Sequence, residues 1–292
     1  EIVVALDADT LFPADTLRHL VAPLADPTVG AVAGNAKVGN RINLLTRWQA
    51  IEYITSQNLD RRAFSLLNCI TVVPGAVGAW RKSLVLEVGG FSTDTLAEDQ
   101  DLTIAIQRKG WKVAYDEQAV AWTEAPENFG ALAKQRFRWS FGTLQCLWKH
   151  RAVLRERQPG GLAFVGMPQA WLFQIAFAVV SPLIDLALAV SIGGTLLRVY
   201  EHGWAQTQTD VLRMAAYWAG FVAIDLACGL VAFRLDVRGE KFRPLLLLAQ
   251  RFVYRQVMYS VVIRAVSAAL HGMAQGWGKL ERTGRVATPV GS

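Results

Sequence analysis

Cysteine and histidine are scarce, with three and four among 292 residues. Cys69, Cys146 and Cys228 share no paired spacing, so neither a disulfide framework nor a thiolate zinc site is indicated. His19, His150, His202 and His271 are equally scattered, which argues against an imidazole metal centre. No Gly-rich loop ending in Lys-Ser or Lys-Thr is present, so nothing supports nucleotide hydrolysis of the P-loop kind. There is no internal repeat and no low-complexity segment. Charge is absent most unevenly. Residues 162–184 contain not one charged side chain, and Asp185 stands alone before Arg198.

An uncharged run of that length meets the requirement of roughly 20 apolar residues for a bilayer-spanning helix. A second run, 214–233, carries only Asp225. The third, 244–270, contains Arg251, Arg255 and Arg264, and a central Arg costs roughly 2.5–3.5 kcal/mol on insertion scales. Arg251 and Arg255 share a helix face at i, i+4 and have the spacing to point into a polar cavity. That run reads either as a span or as an interfacial or re-entrant helix.

The net charge of +6 is not a nucleic-acid footprint, because much of it collects where apolar runs begin or end. Lys149, Arg151, Arg155 and Arg157 precede the first run; Arg234, Arg238, Lys241 and Arg243 follow the second. Positive flanks mark cytoplasmic loops. The expected organisation is a cytoplasmic α/β domain over 1–158, a multi-pass membrane region over 159–271, and a polar tail over 272–292. A third full span would put Lys279, Arg282 and Arg285 outside, against the same rule, which favours the re-entrant reading.

The chain begins on Glu1 and then Ile2-Val3-Val4-Ala5-Leu6, a continuous apolar run with the signature of a buried parallel strand. Such an opening leads us to expect an N-terminal truncation. A helix is expected from Pro13, strands at 29–33 and 70–73, and a long amphipathic helical stretch at 42–67 with Trp48, Ile51, Tyr53 and Ile54. Further helices are expected at 97–108 and 129–147, and strands at 112–115 and 119–122. This alternation predicts a mostly parallel α/β sheet with sites at the carboxyl ends of its strands. The segment Pro74-Gly75-Ala76-Val77-Gly78 reads as a turn-rich loop that lets backbone approach a ligand.

Three groups of residues carry chemistry. Asp7 and Asp9 follow the first strand; in an extended segment i and i+2 point the same way, so both carboxylates would face one ligand. Hard oxygen ligands suit Mg²⁺ or Mn²⁺, which take one or two carboxylates plus substrate phosphates. Alone the pattern is weak, since a chain this long shows roughly one D-x-D by chance. Glu98-Asp99-Gln100-Asp101 places three acids at a helix start, where they complement the helix dipole or supply a general base. Burial and like charge would raise that base's pKa towards a useful value. Gln135, Arg138 and Trp139 come third. Arg138 offers a fork of donors to phosphate, and Trp139 an apolar face for a sugar ring. The competing reading is an interfacial helix with Arg and Trp belted at the headgroups.

The order Asp7-x-Asp9, then Glu98-Asp99, then Gln135-x-x-Arg138-Trp139 ahead of membrane helices resembles the processive family-2 glycosyltransferases, such as cellulose, chitin and hyaluronan synthases. The resemblance is close over about residues 1–150. It implies a GT-A (Rossmann-like) fold, a UDP-sugar donor, a growing polysaccharide acceptor, Mg²⁺ or Mn²⁺, inversion at the anomeric carbon and extrusion through the membrane segment. It also implies roles. Asp7 would contact the nucleotide and Asp9 the metal, with Asp7 beside it. Asp99 would be the general base, with Glu98 as its neighbour, and Arg138 would meet the diphosphate. Gly75, Ala76, Gln135 and Trp139 would line the acceptor. Ala97 stands where Thr often precedes Glu-Asp in the family, and the family's nucleobase-binding segment has no counterpart in this chain. Gln49-Ala50-Ile51-Glu52-Tyr53, Thr123-Glu124-Ala125-Pro126 and Gly276-Trp277-Gly278-Lys279-Leu280-Glu281-Arg282 narrow the resemblance to poly-β-1,6-N-acetylglucosamine synthases. The rival readings are a single-addition transferase acting on a lipid carrier and, remotely, a transporter or channel using Asp185, Asp225, Arg251 and Arg255.

Overall fold

A computed structural model describes residues 1–237 and 239–272. Arg238 and residues 273–292, with Lys279, Arg282, Arg285 and the Gly276–Arg282 motif, lie outside the described residues. Five strands form one sheet: β1 (Ile2–Leu6), β2 (Thr10–Leu11), β3 (Val29–Val38), β4 (Val77–Arg81) and β5 (Lys112–Thr123), in the order β1-β4-β3-β5-β2. The sheet is mixed, which corrects the mostly parallel expectation. Only β3 and β5 run parallel; β1/β4, β3/β4 and β2/β5 are antiparallel. The first strand is likewise not a buried parallel one. It lies at the sheet edge with Ile2 and Leu6 each 43% exposed.

The expected strand at 70–73 does not form, and the reason is where its backbone groups go. Val73 N–H donates to Thr103 Oγ1 at 2.9 Å, and Ile70 C=O accepts from the Gln107 side chain. Pro74 then supplies no N–H, Val77 N–H closes a turn onto Pro74 C=O at 3.0 Å, and the strand starts at Val77. The turn-rich loop is therefore confined to 74–77, and Gly78 belongs to β4. The two short strands expected at 112–115 and 119–122 are one strand, β5, with an irregular register against β3 between Ala33 and Asn35.

Helices cover the sheet: α1 (Thr16–Val21), α2 (Leu44–Glu52), α3 (Leu59–Leu66), α4 (Lys82–Glu87), α5 (Glu98–Arg108), α6 (Phe129–Lys149) and α7 (Ala152–Glu156). The amphipathic stretch 42–67 is α2 and α3 joined by a π-helical turn, Tyr53–Asn58. Asn43 starts it through a reciprocal cap: its Oδ1 accepts from Thr46 N–H at 2.9 Å, and Thr46 Oγ1 accepts from Asn43 N–H at 3.1 Å.

Beyond α7 comes one helical run, Leu162–His202, in which α8 (Met167–Gln169) and α9 (Phe177–His202) alternate with π-helical Leu162–Gly166 and Ala170–Ala176. After Gly203 follows α10 (Trp204–Leu235). Both are long and apolar enough to cross a membrane, with mean hydropathy 2.3 and 1.7. Only 6% of the first run's most apolar window is buried within the molecule. Its apolar side chains thus face the surroundings, unlike those of a soluble core helix.

The third apolar run breaks at Val253 into α11 (Pro244–Phe252) and α12 (Tyr254–Leu270). Neither behaves as an isolated span. Val262, Ala265 and Ala268 of α12 pack with Phe141, Leu144 and Leu147 of α6 in one buried cluster. Trp48 of α2 reaches α11, its Nε1–H donating to Leu246 C=O at 3.0 Å. Arg251 and Arg255 are each held by an acid. Arg251 pairs with Asp185 at 3.4 Å, and Arg255 with both oxygens of Asp225 at 3.0 Å. Asp185 and Asp225, the acids within the apolar stretches of the two long helices, are thereby each held by an Arg from the broken third run. Breaking one side of such a partly buried pair leaves the other charge uncompensated, which costs more than removing both partners. Arg255→Ala is expected to lower the thermal midpoint of detergent-extracted protein more than Arg255→Ala combined with Asp225→Ala. A double variant less stable than the single one would remove the pair from this role.

Candidate active site

The site is built where α5 begins, because three other elements are tied to that point. Asp99, the second residue of α5, is half-buried. Its Oδ2 accepts from Gly75 N–H at 3.1 Å and its Oδ1 from Gln100 N–H at 2.8 Å. The 74–77 turn therefore rests its backbone against the Asp99 carboxylate.

Burial pushes the Asp99 carboxyl above its ordinary pKa, while the Gly75 and Gln100 N–H groups and the Arg61 guanidinium pull the other way. Glu98 is raised as well, first by burial. Its own N–H and Arg138 oppose the shift, and Asp99 and Asp7 add to it. Those charges act on Glu98 only because they are near it. Asp7, Glu98, Asp99 and Arg138 thus share one electrostatic neighbourhood although 131 positions separate the first from the last.

Asp7-Ala8-Asp9 is not extended, which corrects the reason given for pairing its carboxylates. Thr10 N–H donates to Asp7 C=O at 3.1 Å, so the acids lie in a tight turn. That turn carries the chain from Leu6, beside Val77 of β4, to Thr10, beside Thr123 of β5. It therefore passes over the end of the sheet. Asp9 Oδ1 accepts from Thr10 Oγ1 at 3.3 Å. No cluster of three or more metal-ligating side chains occurs among the described residues.

The third motif lies on α6, whose start is capped by Asn128 Oδ1 accepting from Ala131 N–H at 2.8 Å. Gln135 is buried, and its Oε1 has no hydrogen-bond partner among the described residues. Trp139 is half-buried against the cluster containing Val32, Ala36 and Tyr53. Gln135, Trp139, Gly142 and Cys146 form one stripe at helical spacing, and its far end presses on the start of α5. A Cβ at Gly142 would sit 2.7 Å from Ala97 N and 2.8 Å from Ala97 Cβ. Gln145 Oε1 accepts from Leu96 N–H at 2.8 Å, and Thr143 Oγ1 donates to Gln100 Oε1 at 2.9 Å. Asp101, the last acid of the cluster, faces away from Asp99's partners and is held by Lys149 at 2.9 Å and His150 at 2.8 Å.

Gly142→Ala is therefore expected to displace α5 and lose about 1–3 kcal/mol by overpacking. Gly130→Ala, on the same helix, meets only Asn128 Oδ1 at 3.4 Å and should be tolerated. Thermal melts of both variants, with transfer assays, provide the check. Equal behaviour would show that the close approach at Ala97 is not needed.

Two residues escaped the sequence reading. Arg61, on α3, is near enough to Asp99 to hold its pKa down; the only signal was an Arg pair in an otherwise apolar-faced stretch. Arg136 occupies a variable place in Gln-x-x-Arg-Trp. It is buried nonetheless, with its guanidinium 4.4 Å from the centre of the Trp139 ring. The finer resemblance segments also meet: Gln49 Nε2 donates to Pro126 C=O at 2.8 Å.

Comparison with known proteins gives the same assignment. Over 155 residues the chain is 32% identical to the poly-beta-1,6-N-acetyl-D-glucosamine synthase of Staphylococcus aureus (strain COL), covering 53% of this chain and 36% of that protein. It is 31% identical over 160 residues to the synthase of the same description from Staphylococcus epidermidis, covering 54% and 37%. The matched region is thus little more than a third of those relatives. Among solved structures, a mannosyltransferase from Pyrobaculum calidifontis in complex with GDP-Man and Mn2+ superposes with a TM-score of 0.50 at 21% identity, covering 94% of this chain and 63% of that one. That likeness shows a GT-A-like fold. Residues 2–200 match the family described as glycosyl transferase family group 2, and the chain belongs to that family as a glycosyltransferase.

Proposed function

We propose that the protein is a processive, inverting transferase that adds N-acetylglucosamine from a UDP-sugar to the end of a growing β-linked polysaccharide at the cytoplasmic face of the cell membrane. In this reading residues 1–158 are the catalytic part, 159–271 the membrane part and 272–292 a tail. The observation that supports it most is that Asp99, Arg138 and Asp7 all act electrostatically on Glu98, while the Gly75 N–H rests on the Asp99 carboxylate. Asp99 takes the proton of the attacking acceptor hydroxyl, and Arg138 faces the diphosphate. Gly75, Ala76, Gln135 and Trp139 hold the acceptor sugar; the unsatisfied, buried Oε1 of Gln135 suits a hydroxyl donor.

Mg²⁺ or Mn²⁺ fits this donor set. Asp7 and Asp9 offer hard oxygens in one turn, and two carboxylates leave the remaining positions to phosphate and water. Bound there, the ion would neutralise the charge of the leaving diphosphate. The Mn2+ in the Pyrobaculum mannosyltransferase supports the same expectation. The similarity to the staphylococcal synthases supports N-acetylglucosamine. The exposed apolar helices Leu162–His202 and Trp204–Leu235 support membrane embedding. A transporter reading loses its charged pathway, because Asp185 and Asp225 are each paired with an Arg.

Membranes containing the protein, incubated with a panel of radiolabelled UDP-sugars and sized on a gel, test the reading. Long polymer from UDP-N-acetylglucosamine is expected. Label in a single-sugar lipid would replace the processive reading with the single-addition one, and no incorporation from any UDP-sugar would overturn both.

A further inference from the structure

We infer that Arg136 and Tyr254 are positioning residues that set the Trp139 ring for the acceptor, so that helix α12 of the broken third apolar run contributes to the sugar-binding site. The inference rests on the acceptor role proposed for Trp139. Four groups from three elements carry it. Glu52 ends α2, Arg136 and Trp139 lie at i, i+3 on α6, and Tyr254 is the first residue of α12. Arg136 Nη2 donates to Glu52 Oε2 at 2.7 Å and to Tyr254 Oη at 3.3 Å, and Tyr254 O–H donates to the same Glu52 oxygen. The guanidinium then lies over Trp139 at 4.4 Å, with Tyr53 at 6.0 Å.

Arg136 is 6% exposed and Tyr254 2% exposed. A buried guanidinium tied to Glu52 is restrained, and its carbon lies over one face of the indole. The other face of the half-buried Trp139 is what an acceptor ring can stack on. The charge of Glu52 fixes the guanidinium and the phenol fixes Glu52, so a shift of α12 changes the tilt of the indole. Trp48 reinforces the connection: its ring lies 6.2 Å from Tyr254, and its C=O accepts from Gln250 Nε2 at 3.2 Å. A Lys at 136 would keep the charge opposite Glu52 but lose the planar stack.

The test uses the protein in membranes with UDP-N-acetylglucosamine as donor and β-linked N-acetylglucosamine oligomers as acceptor. Donor hydrolysis is measured separately from acceptor extension. Arg136→Lys is expected to raise the acceptor KM about five- to tenfold, the range one aromatic contact spans, with donor hydrolysis changed less than about twofold. Tyr254→Phe should act in the same direction by about threefold. In a Trp139→Ala background neither substitution should add to the loss, because both act through the ring. Should Arg136→Lys fail to accumulate, Tyr254→Phe carries the same comparison. Equal factors with and without Trp139, or equal losses in hydrolysis and extension, would overturn the inference. Trp139→Ala with an unchanged acceptor KM would instead overturn the acceptor reading beneath it.

Discussion

Asp99→Asn should reduce sugar transfer by about 10²–10⁴-fold while leaving UDP-sugar binding nearly intact. Asp99 accepts from Gly75 N–H through Oδ2 at 3.1 Å and from Gln100 N–H through Oδ1 at 2.8 Å, so Asn, with a single oxygen, keeps one of the two bonds. What it cannot do is take a proton. The wild-type pH profile should carry the same signature. Burial raises the Asp99 carboxyl, so transfer falls as pH drops through that raised value, where the base becomes protonated. Stability moves the opposite way. A carboxyl whose folded pKa is raised contributes its full stability below the unfolded value and loses it as pH rises through the folded one. At neutral pH the ionised Asp99 is therefore a burden on the fold, and the melting temperature of wild type relative to Asp99→Asn should rise as pH falls through the raised value. Calorimetric donor titration, single-turnover transfer and a thermal melt decide the matter together. Near-normal turnover removes Asp99 from the role of base. A relative melting temperature that falls as pH drops would contradict the burial account.

Asp9→Ala is expected to abolish the metal-dependent part of donor binding. A coordinated cation contributes several kcal/mol of charge stabilisation, so the affinity gained on adding Mn²⁺ should fall by about 100-fold or more. The acids sit in a tight turn closed by Thr10 N–H on Asp7 C=O. The backbone geometry does not depend on the Asp9 side chain, and the turn should persist in the variant. Titration of UDP-N-acetylglucosamine with and without Mn²⁺ reads the effect. If the Mn²⁺-dependent gain survives in Asp9→Ala, the D-x-D turn is not where the ion binds. A parallel Asp7→Ala should also lower the pKa of Glu98, since Asp7 raises it.

Some elements were legible from residue order alone because local physics decides them. The helices near 97–108 and 129–147 appear as α5 and α6 within two residues, since apolar spacing and the cap at Asn128 are local signals. Strand identity at 70–73 was not legible. Its apolar residues suit a strand, but side chains of α5 take its backbone groups. Strand direction was not legible either, because pairing depends on which edge each returning segment meets. The 244–270 run shows the same limit. Its three Arg residues announced a departure from a simple span, but only the positions of Asp185 and Asp225 reveal what Arg251 and Arg255 pair with.

The order of the acidic and Arg/Trp motifs, the two long uncharged runs and the chemistry of each side chain belong to the sequence by itself. Proton acceptance, phosphate binding and apolar burial are properties of residue type, so they need no coordinates. Tertiary structure alone decided that Gly75 N–H meets Asp99, that Gly142 lets α6 close on Ala97, and that Arg136 reaches Glu52. Those contacts join positions 24, 45 and 84 apart through packing of separate elements, and steric fit between surfaces is written in no single stretch of the chain.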